Sequence, residues 1–263
     1  MDAQNVDEQR SRHQAEIVEQ FSRQSVTFTQ VPGHYDALQV LIAMSEVSAS
    51  DQVLDVACGP GIVACEFARH AESVTGIDIT PAMIEQAAKR QQEAALTNLA
   101  WLVGDALPLP FPDDAFSLVV TRYSFHHLLS PAQALREMIR VCRPGGRVLV
   151  ADVAMECDKV EAYDRLELIR DPSHTHALTR EELAGLFSQS GLLDCRTTNY
   201  GVHIKLEDQL RASFPKPGDE LVLREMVVND IGVDRLGINA RREGGEVIYT
   251  VPISVYVGRK GAA

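Results

Sequence analysis

Residues 52–61 read Gln52-Val53-Leu54-Asp55-Val56-Ala57-Cys58-Gly59-Pro60-Gly61. The spacing predicts a strand over Gln52–Val56, a glycine-containing turn, and a helix from about Ile62 to His70. Gly59 and Gly61 let the backbone turn tightly and approach a ligand with no side chain in the way. A parallel α/β sheet binds ligands outside the carboxyl ends of its strands, and Asp55 falls at such an end. A glycine turn alone is also what an ordinary structural turn looks like, so its surroundings decide.

Working outward, the same alternation repeats. Ser73–Ile77, 98–103, Phe116–Thr121 and Arg147–Val153 read as further strands. Pro81 and Pro131 open helices, where a missing N–H costs little. Arg143-Pro144-Gly145-Gly146 is a stop signal. The order predicts an α/β, doubly wound, Rossmann-like sheet of parallel strands with right-handed crossovers and helices on both faces. Upstream, Ile17, Val18 and Phe21, then Leu38, Leu41, Ile42 and Val47, suggest two helices flanking an irregular stretch at 25–35. Downstream, 159–170 reads as helix, and Thr179 with Glu182 forms a capping-box pattern. A strand follows over Leu192–Tyr200, then helices within 206–231 broken at 214–218. A closing strand spans Glu246–Val257, where Pro252 suggests an edge or a bulge. The expected organisation is one domain over 1–263. It has an N-terminal helical segment (1–48), a ligand-binding core (50–155), and cap segments at 156–178 and 201–245.

The totals narrow the function. A net charge of -12 with no basic cluster argues against nucleic acid and anionic membranes as partners. Hydrophobic content of 45% suits one sizeable core. Cys58, Cys65, Cys142, Cys157 and Cys195 show no close metal-binding pair and fit a reducing compartment. The polar N-terminus lacks signal-peptide features and no stretch has transmembrane length. The expectation is a cytoplasmic protein, monomer or homodimer, that acts on a small molecule and has no metal site.

Asp78 ends the second strand 23 residues after Asp55. A carboxylate there can accept both hydroxyls of a ribose. After the third strand come Gly104, Asp105 and Ala106. Asp105 can accept from an adenine amine while the Ala106 N–H donates to a ring nitrogen. Ile79 and Met83 can pack on the adenine faces, although each also reads as ordinary core. Arg122 and Ser124, after the fourth strand, would line the reacting end. A nicotinamide dinucleotide would use Asp78 too, but its pyrophosphate wants GxGxxG at a helix N-terminus. Here Ala64 holds the third glycine position. Asp55 would repel a pyrophosphate and suits the cationic amino-acid end of S-adenosylmethionine.

At Asp55–Gly61, Asp78, Gly104–Ala106, the loop LPLPFPDDAFSLVV (107–120) and LREMIRVCRPGGRVLV (135–150), the sequence resembles the class I S-adenosylmethionine-dependent methyltransferases. Within them it is similar to the ubiquinone/menaquinone-biosynthesis-like small-molecule branch. The resemblance covers about 50–155. It implies a seven-stranded, mostly parallel sheet with an antiparallel final strand, and S-adenosylmethionine as methyl donor. It assigns Gly59 and Gly61 to the methionine part, Asp78 to the ribose and Asp105 to the adenine. Tyr123-Ser124-Phe125-His126-His127 departs from the quinone enzymes and puts a quinone acceptor in doubt.

The same stretch supplies the candidates for proton transfer. His126 and His127 follow the fourth strand, and histidine titrates near neutrality. Adjacent side chains point differently, so one of them at most serves. His127 is preferred as base or acceptor-orienting group, against a structural role bonding the loop backbone. His174, before a helix start, is a third candidate. Three other readings stay open: a nicotinamide oxidoreductase, an adenosine-metabolite binding protein, and an enzyme of this fold that uses S-adenosylmethionine without methyl transfer, for example by cyclising its side chain.

Overall fold

The computed structural model describes residues 3–30 and 37–262. The expected irregular stretch at 25–35 and the expected start of the second helix therefore lie partly outside the described residues. Eight strands form one sheet: β1 (Gln52–Val56), β2 (Ser73–Asp78), β3 (Leu99–Val103), β4 (Phe116–Arg122), β5 (Cys142–Val153), β6 (Leu193–Lys205), β7 (Arg241–Glu243) and β8 (Glu246–Arg259). The order is β3-β2-β1-β4-β5-β8-β6, with β7 paired to β8. β1 to β5 pair in parallel, and β8 runs antiparallel to β5, β6 and β7.

The sheet is doubly wound because its central strands are apolar on both faces. Val53, Leu118, Val120, Leu149 and Ala151 face one core, with Leu41, Val63 and Phe67 on the helices α2 (Leu38–Ser45) and α3 (Ile62–Phe67). Leu54, Val119, Val148 and Val150 face the other. There they meet Leu135 and Met138 of α5 (Pro131–Val141), and Leu183 and Phe187 of α7 (Arg180–Gln189). Successive residues alternate between the cores, as the two-residue period of a strand requires. α4 (Pro81–Glu93) begins at its proline. The capping box forms as read: Thr179 Oγ1 accepts from Glu182 N, and Glu182 Oε2 accepts from Thr179 N.

The seven expected strands form the continuous path of the sheet, and a short β7, Arg241–Glu243, turns back through Gly244 and Gly245, both at positive φ, to pair with β8. One expectation needs correction. Pro252 lies at neither an edge nor a bulge, since β8 is flanked by β5 and β6. Its carbonyl accepts from Ala154 N at 3.1 Å, just past the last paired residue of β5. In an antiparallel ladder a residue's N and O face the same side. The missing N–H of Pro252 therefore also faces Ala154, and the return bond of that pair is the one the β5–β8 ladder lacks at its end.

The remaining helices gather at the carboxyl end of the sheet. They are α1 (Ala3–Gln24), α6 (Val160–Arg170), α8 (Leu206–Ser213) and α9 (Asp219–Asn229). Gln20 Nε2 donates to Ser213 O at 2.9 Å, and Thr27 Oγ1 to Ala212 O at 3.1 Å, which fixes the end of α1 on α8.

Candidate active site

One continuous cavity of about 540 Å³ opens beyond the carboxyl ends of β1, β2, β4 and β5. That volume lies within the range of small-molecule and cofactor sites. Its outer half is built by the glycine turn. Gly59 and Gly61 sit at φ 50 and 74, in the left-handed region. A Cβ on Gly61 would come within 2.8 Å of the Trp101 ring and 2.9 Å of the Ala87 Cβ, whereas one on Gly59 would meet nothing within 4 Å. Gly61 therefore lets the turn pack on β3 and α4, and Gly59 leaves open space beside the cavity. Gly59 lines the cavity and Gly61 does not, so Gly61 acts through the shape of the turn.

Asp55, Asp78, Ile79, Met83, Gly104, Asp105, Ala106, Arg122 and Ser124 all line this cavity, which brings together the cofactor residues read from the sequence. Asp78 is well tied: Oδ2 accepts from Gly59 N and Oδ1 from Thr80 N, each at 2.8 Å. Burial pushes its pKa up. Asp55 is 1% exposed and its Oδ2 has no hydrogen-bond partner. Burial pushes its carboxyl up to about 7 against the opposing charge of Arg122. An unsatisfied buried carboxylate oxygen is costly and calls for a donor. The ammonium group of an amino-acid ligand would supply one. Asp105 is clasped by Arg10 and by Gln14 (2.6 Å) from α1. α1 thereby lies against the position that would read an adenine. The orphaned Asp55, the Gly59 opening and the Asp78 carboxylate all fit S-adenosylmethionine.

The inner half carries the reactive side chains. A 3₁₀ turn at Phe125–His127 follows β4. Asp152, at the end of β5, organises it: Oδ2 accepts from Ser124 N (2.8 Å) and Phe125 N (2.7 Å), and Oδ1 meets His126 Nδ1 at 2.6 Å. That contact leaves Nε2 as the nitrogen His126 can offer to the cavity it lines. Burial alone would lower the His126 pKa, but the Asp152 carboxylate outweighs it and holds the imidazole above its ordinary value. Asp152 is correspondingly held below its own, against its burial.

His127 behaves oppositely. Its Nδ1 meets Ser173 O at 3.0 Å and Ser173 Oγ at 3.1 Å. Burial and the adjacent His126 push its pKa down to about 3. His127 also lines the cavity, but so low a pKa makes it a poor proton acceptor. His174 does not line the cavity, its side chain is wholly buried, and its Nε2 meets Asp164 Oδ1 at 2.7 Å. The geometry thus favours His126 over His127, and leaves His174 holding a loop.

Sequence reasoning missed Asp152, which lies behind His126, and Tyr163, Glu167 and Tyr249, which line the cavity. A lone carboxylate ending the apolar run Val148–Val153 at a strand's carboxyl end was a usable signal for Asp152. Tyr163, Glu167 and Tyr249 carried none, since their strand and helix spacing reads equally well as core. The contacts of Arg10 and Gln14 with Asp105 span 95 and 91 residues, beyond any local pattern.

A glycine turn after β1, an acid ending β2 and an acid following β3, all on one cavity of a doubly wound sheet with an antiparallel β8, define a class I S-adenosylmethionine-dependent methyltransferase domain. Residues 54–150 match the family model described as a methyltransferase domain. The chain carries such a domain, related to the branch that includes YcgJ and UbiE. It is 35% identical over 157 residues to the uncharacterized methyltransferase YcgJ of Bacillus subtilis, covering 59% of this chain and 62% of that protein. It is 36% identical over 107 residues to the ubiquinone/menaquinone biosynthesis C-methyltransferase UbiE of Roseobacter denitrificans, covering 40% of this chain and 43% of that protein. The crystal structure of Bacillus YcgJ superposes with a TM-score of 0.77 at 26% identity, over 86% of this chain and 98% of that one. The sequence alignments thus span less than two thirds of those curated relatives.

Proposed function

We propose that this chain transfers a methyl group from S-adenosylmethionine to an O, N or C atom of a small molecule held in the inner half of the cavity, with His126 as the proton acceptor. The observation that carries the reading is that His126, held from behind by Asp152, lines the same cavity as the orphaned Asp55 carboxylate. When bound, the cofactor supplies an electrophilic methyl carbon whose leaving group is a neutral thioether. Asp55 would receive the ammonium end, Asp78 the ribose hydroxyls, and Asp105 and Ala106 the adenine edge, with Ile79 and Met83 against its faces. Asp152 fixes the His126 ring through Nδ1 and makes it basic enough to take a proton at Nε2. α1 over the mouth, and the segments 156–178 and 201–245 around the inner half, exclude water, so that alignment does most of the work.

The same reading makes it a cytoplasmic enzyme, monomer or homodimer, with no nucleic-acid or membrane partner. The charge of -12 supports the part that concerns nucleic acid and anionic membranes, and no helix among the described residues is long and apolar enough to cross a membrane. The test is S-adenosylhomocysteine production by the purified chain given a small-molecule cell extract. Wild type is expected to show extract-dependent production. His126→Asn is expected to lose it while calorimetry shows cofactor affinity unchanged. Equal turnover by both proteins would remove His126 from the reaction.

A further inference from the structure

The inner half of the cavity contains a buried ion pair that the proton-transfer account does not use. Arg170 and Glu167, one turn apart on α6, both line it. Arg170 Nε lies 3.0 Å from each Glu167 carboxylate oxygen, and Nη2 lies 2.5 Å from Oε2, so the two planes meet as a fork. Nη1 donates to Ser213 Oγ at 3.3 Å. Of the three guanidiniums that line the cavity, Arg10, Arg122 and Arg170, Arg170 is the one carried by α6. A guanidinium in such a place is a receptor for carboxylate or phosphate. Here the receptor is already filled by the chain's own Glu167. Across the whole cavity five carboxyl groups and three guanidiniums line the wall, so no guanidinium there lacks an acid for company.

The surroundings fit an uncharged guest. Val202, Ile204, Val251 and Ile253 make an apolar wall from β6 and β8. The buried Gln209 lines the same space, and its Oε1 accepts no hydrogen bond. Asp171 compensates Arg170 less closely than Glu167: its Oδ1 accepts from Ser173 N (2.9 Å) and Ser173 Oγ (2.6 Å), and its Oδ2 makes only a long ion pair with Arg170 Nη1 at 4.0 Å.

We propose that Glu167 determines acceptor charge: by occupying Arg170 it makes the inner chamber select molecules that are electrically neutral and reject those bearing a carboxylate or phosphate. This rests on the inner half being the acceptor site. Its physical core is that either partner alone would be a buried charge without its close counter-ion, Arg170 keeping only Asp171 at 4.0 Å, and that an oppositely charged guest relieves this.

The test needs no cofactor and no turnover, so its failure is distinct from failure of the methyl-transfer reading. Thermal unfolding is followed near neutral pH with benzoate, benzamide or benzamidine added to the full chain. Glu167→Gln is expected to melt lower than wild type and to be restored by benzoate but not by benzamide. Its benzoate affinity should be at least roughly tenfold above wild type. Arg170→Gln should show the mirror image, being restored by benzamidine alone. The double variant should respond to neither ion. The two single variants carry the same inference independently, so one that folds suffices. Wild type stabilised by benzoate as strongly as Glu167→Gln, or single variants indifferent to the ion of opposite charge, would overturn it.

Discussion

His126 Nδ1 and Asp152 Oδ1 lie 2.6 Å apart, on residues 26 positions apart, one in the turn after β4 and the other near the end of the neighbouring parallel β5. The contact fixes which ring nitrogen is free and raises the imidazole's proton affinity. Both consequences are needed in a base that must be neutral before it acts and cationic afterwards.

A base is active only when unprotonated. The acidic limb of kcat/KM should therefore fall above 6.5, the ordinary histidine value, because His126 is held higher. Asp152→Asn removes the stabilising charge, so the limb should move to lower pH as the rate drops. His126→Asn should lower kcat by about 10²–10⁴-fold. A pH–rate profile for the three proteins is the check. An unmoved limb in Asp152→Asn would break the link between the two residues.

Asp55→Asn should weaken S-adenosylmethionine binding by roughly 10–150-fold, as for loss of one hydrogen bond to a charged group worth about 1.5–3 kcal/mol. Stability without cofactor should respond in the opposite sense. The folded pKa of about 7 lies above the ordinary 3.8, so the native state holds the proton more tightly and stability falls as pH rises between those values. Removing the carboxyl should flatten that slope. Calorimetry of binding and chemical denaturation against pH, on the same variant, would show both.

His127 gives a slope of the other sign. Its folded pKa of about 3 is below the ordinary 6.5, so its contribution is intact above 6.5 and is lost as pH falls toward 3. His126, held above 6.5, contributes stability that is present below 6.5 and lost as pH rises through its folded value. His127→Asn should accordingly make the chain less sensitive to acid, while His126→Asn should not. Urea denaturation at stepped pH separates them.

The two glycines of the turn should respond differently to alanine. Gly59→Ala meets open space and carries only the cost of positive φ, about 1–2 kcal/mol. Gly61→Ala carries the same cost and also drives a methyl into Trp101 and Ala87. Overpacking adds about 1–3 kcal/mol more. Thermal melts ranking Gly61→Ala as clearly the less stable would support this assignment, and equal melts would contradict it.

That Asp55, Gly59, Asp78 and Asp105 share one cavity was legible from the sequence because each ends a strand or fills the loop after one, and the α/β alternation alone carries them to one edge. The capping box of α7 was legible for the same reason, spanning only Thr179–Glu182. The rest of the cavity wall was not. Choosing between His126 and His127 requires knowing that Asp152 arrives from another strand and that Ser173 closes over His127. Tyr163, Glu167 and Arg170 come from α6, Tyr249 from β8, and only tertiary packing sets them face to face. Pro252 misled because its position among strands is not written in the strand that contains it.

The central claim is tested most directly with S-adenosylmethionine carrying a deuterated methyl group, incubated with the purified chain and a small-molecule cell extract and read by mass spectrometry. The expected result is S-adenosylhomocysteine matched by one uncharged metabolite that has gained the labelled methyl, both absent with His126→Asn. Methylthioadenosine formed without extract, or cofactor that stays bound and intact with every extract tried, would contradict it.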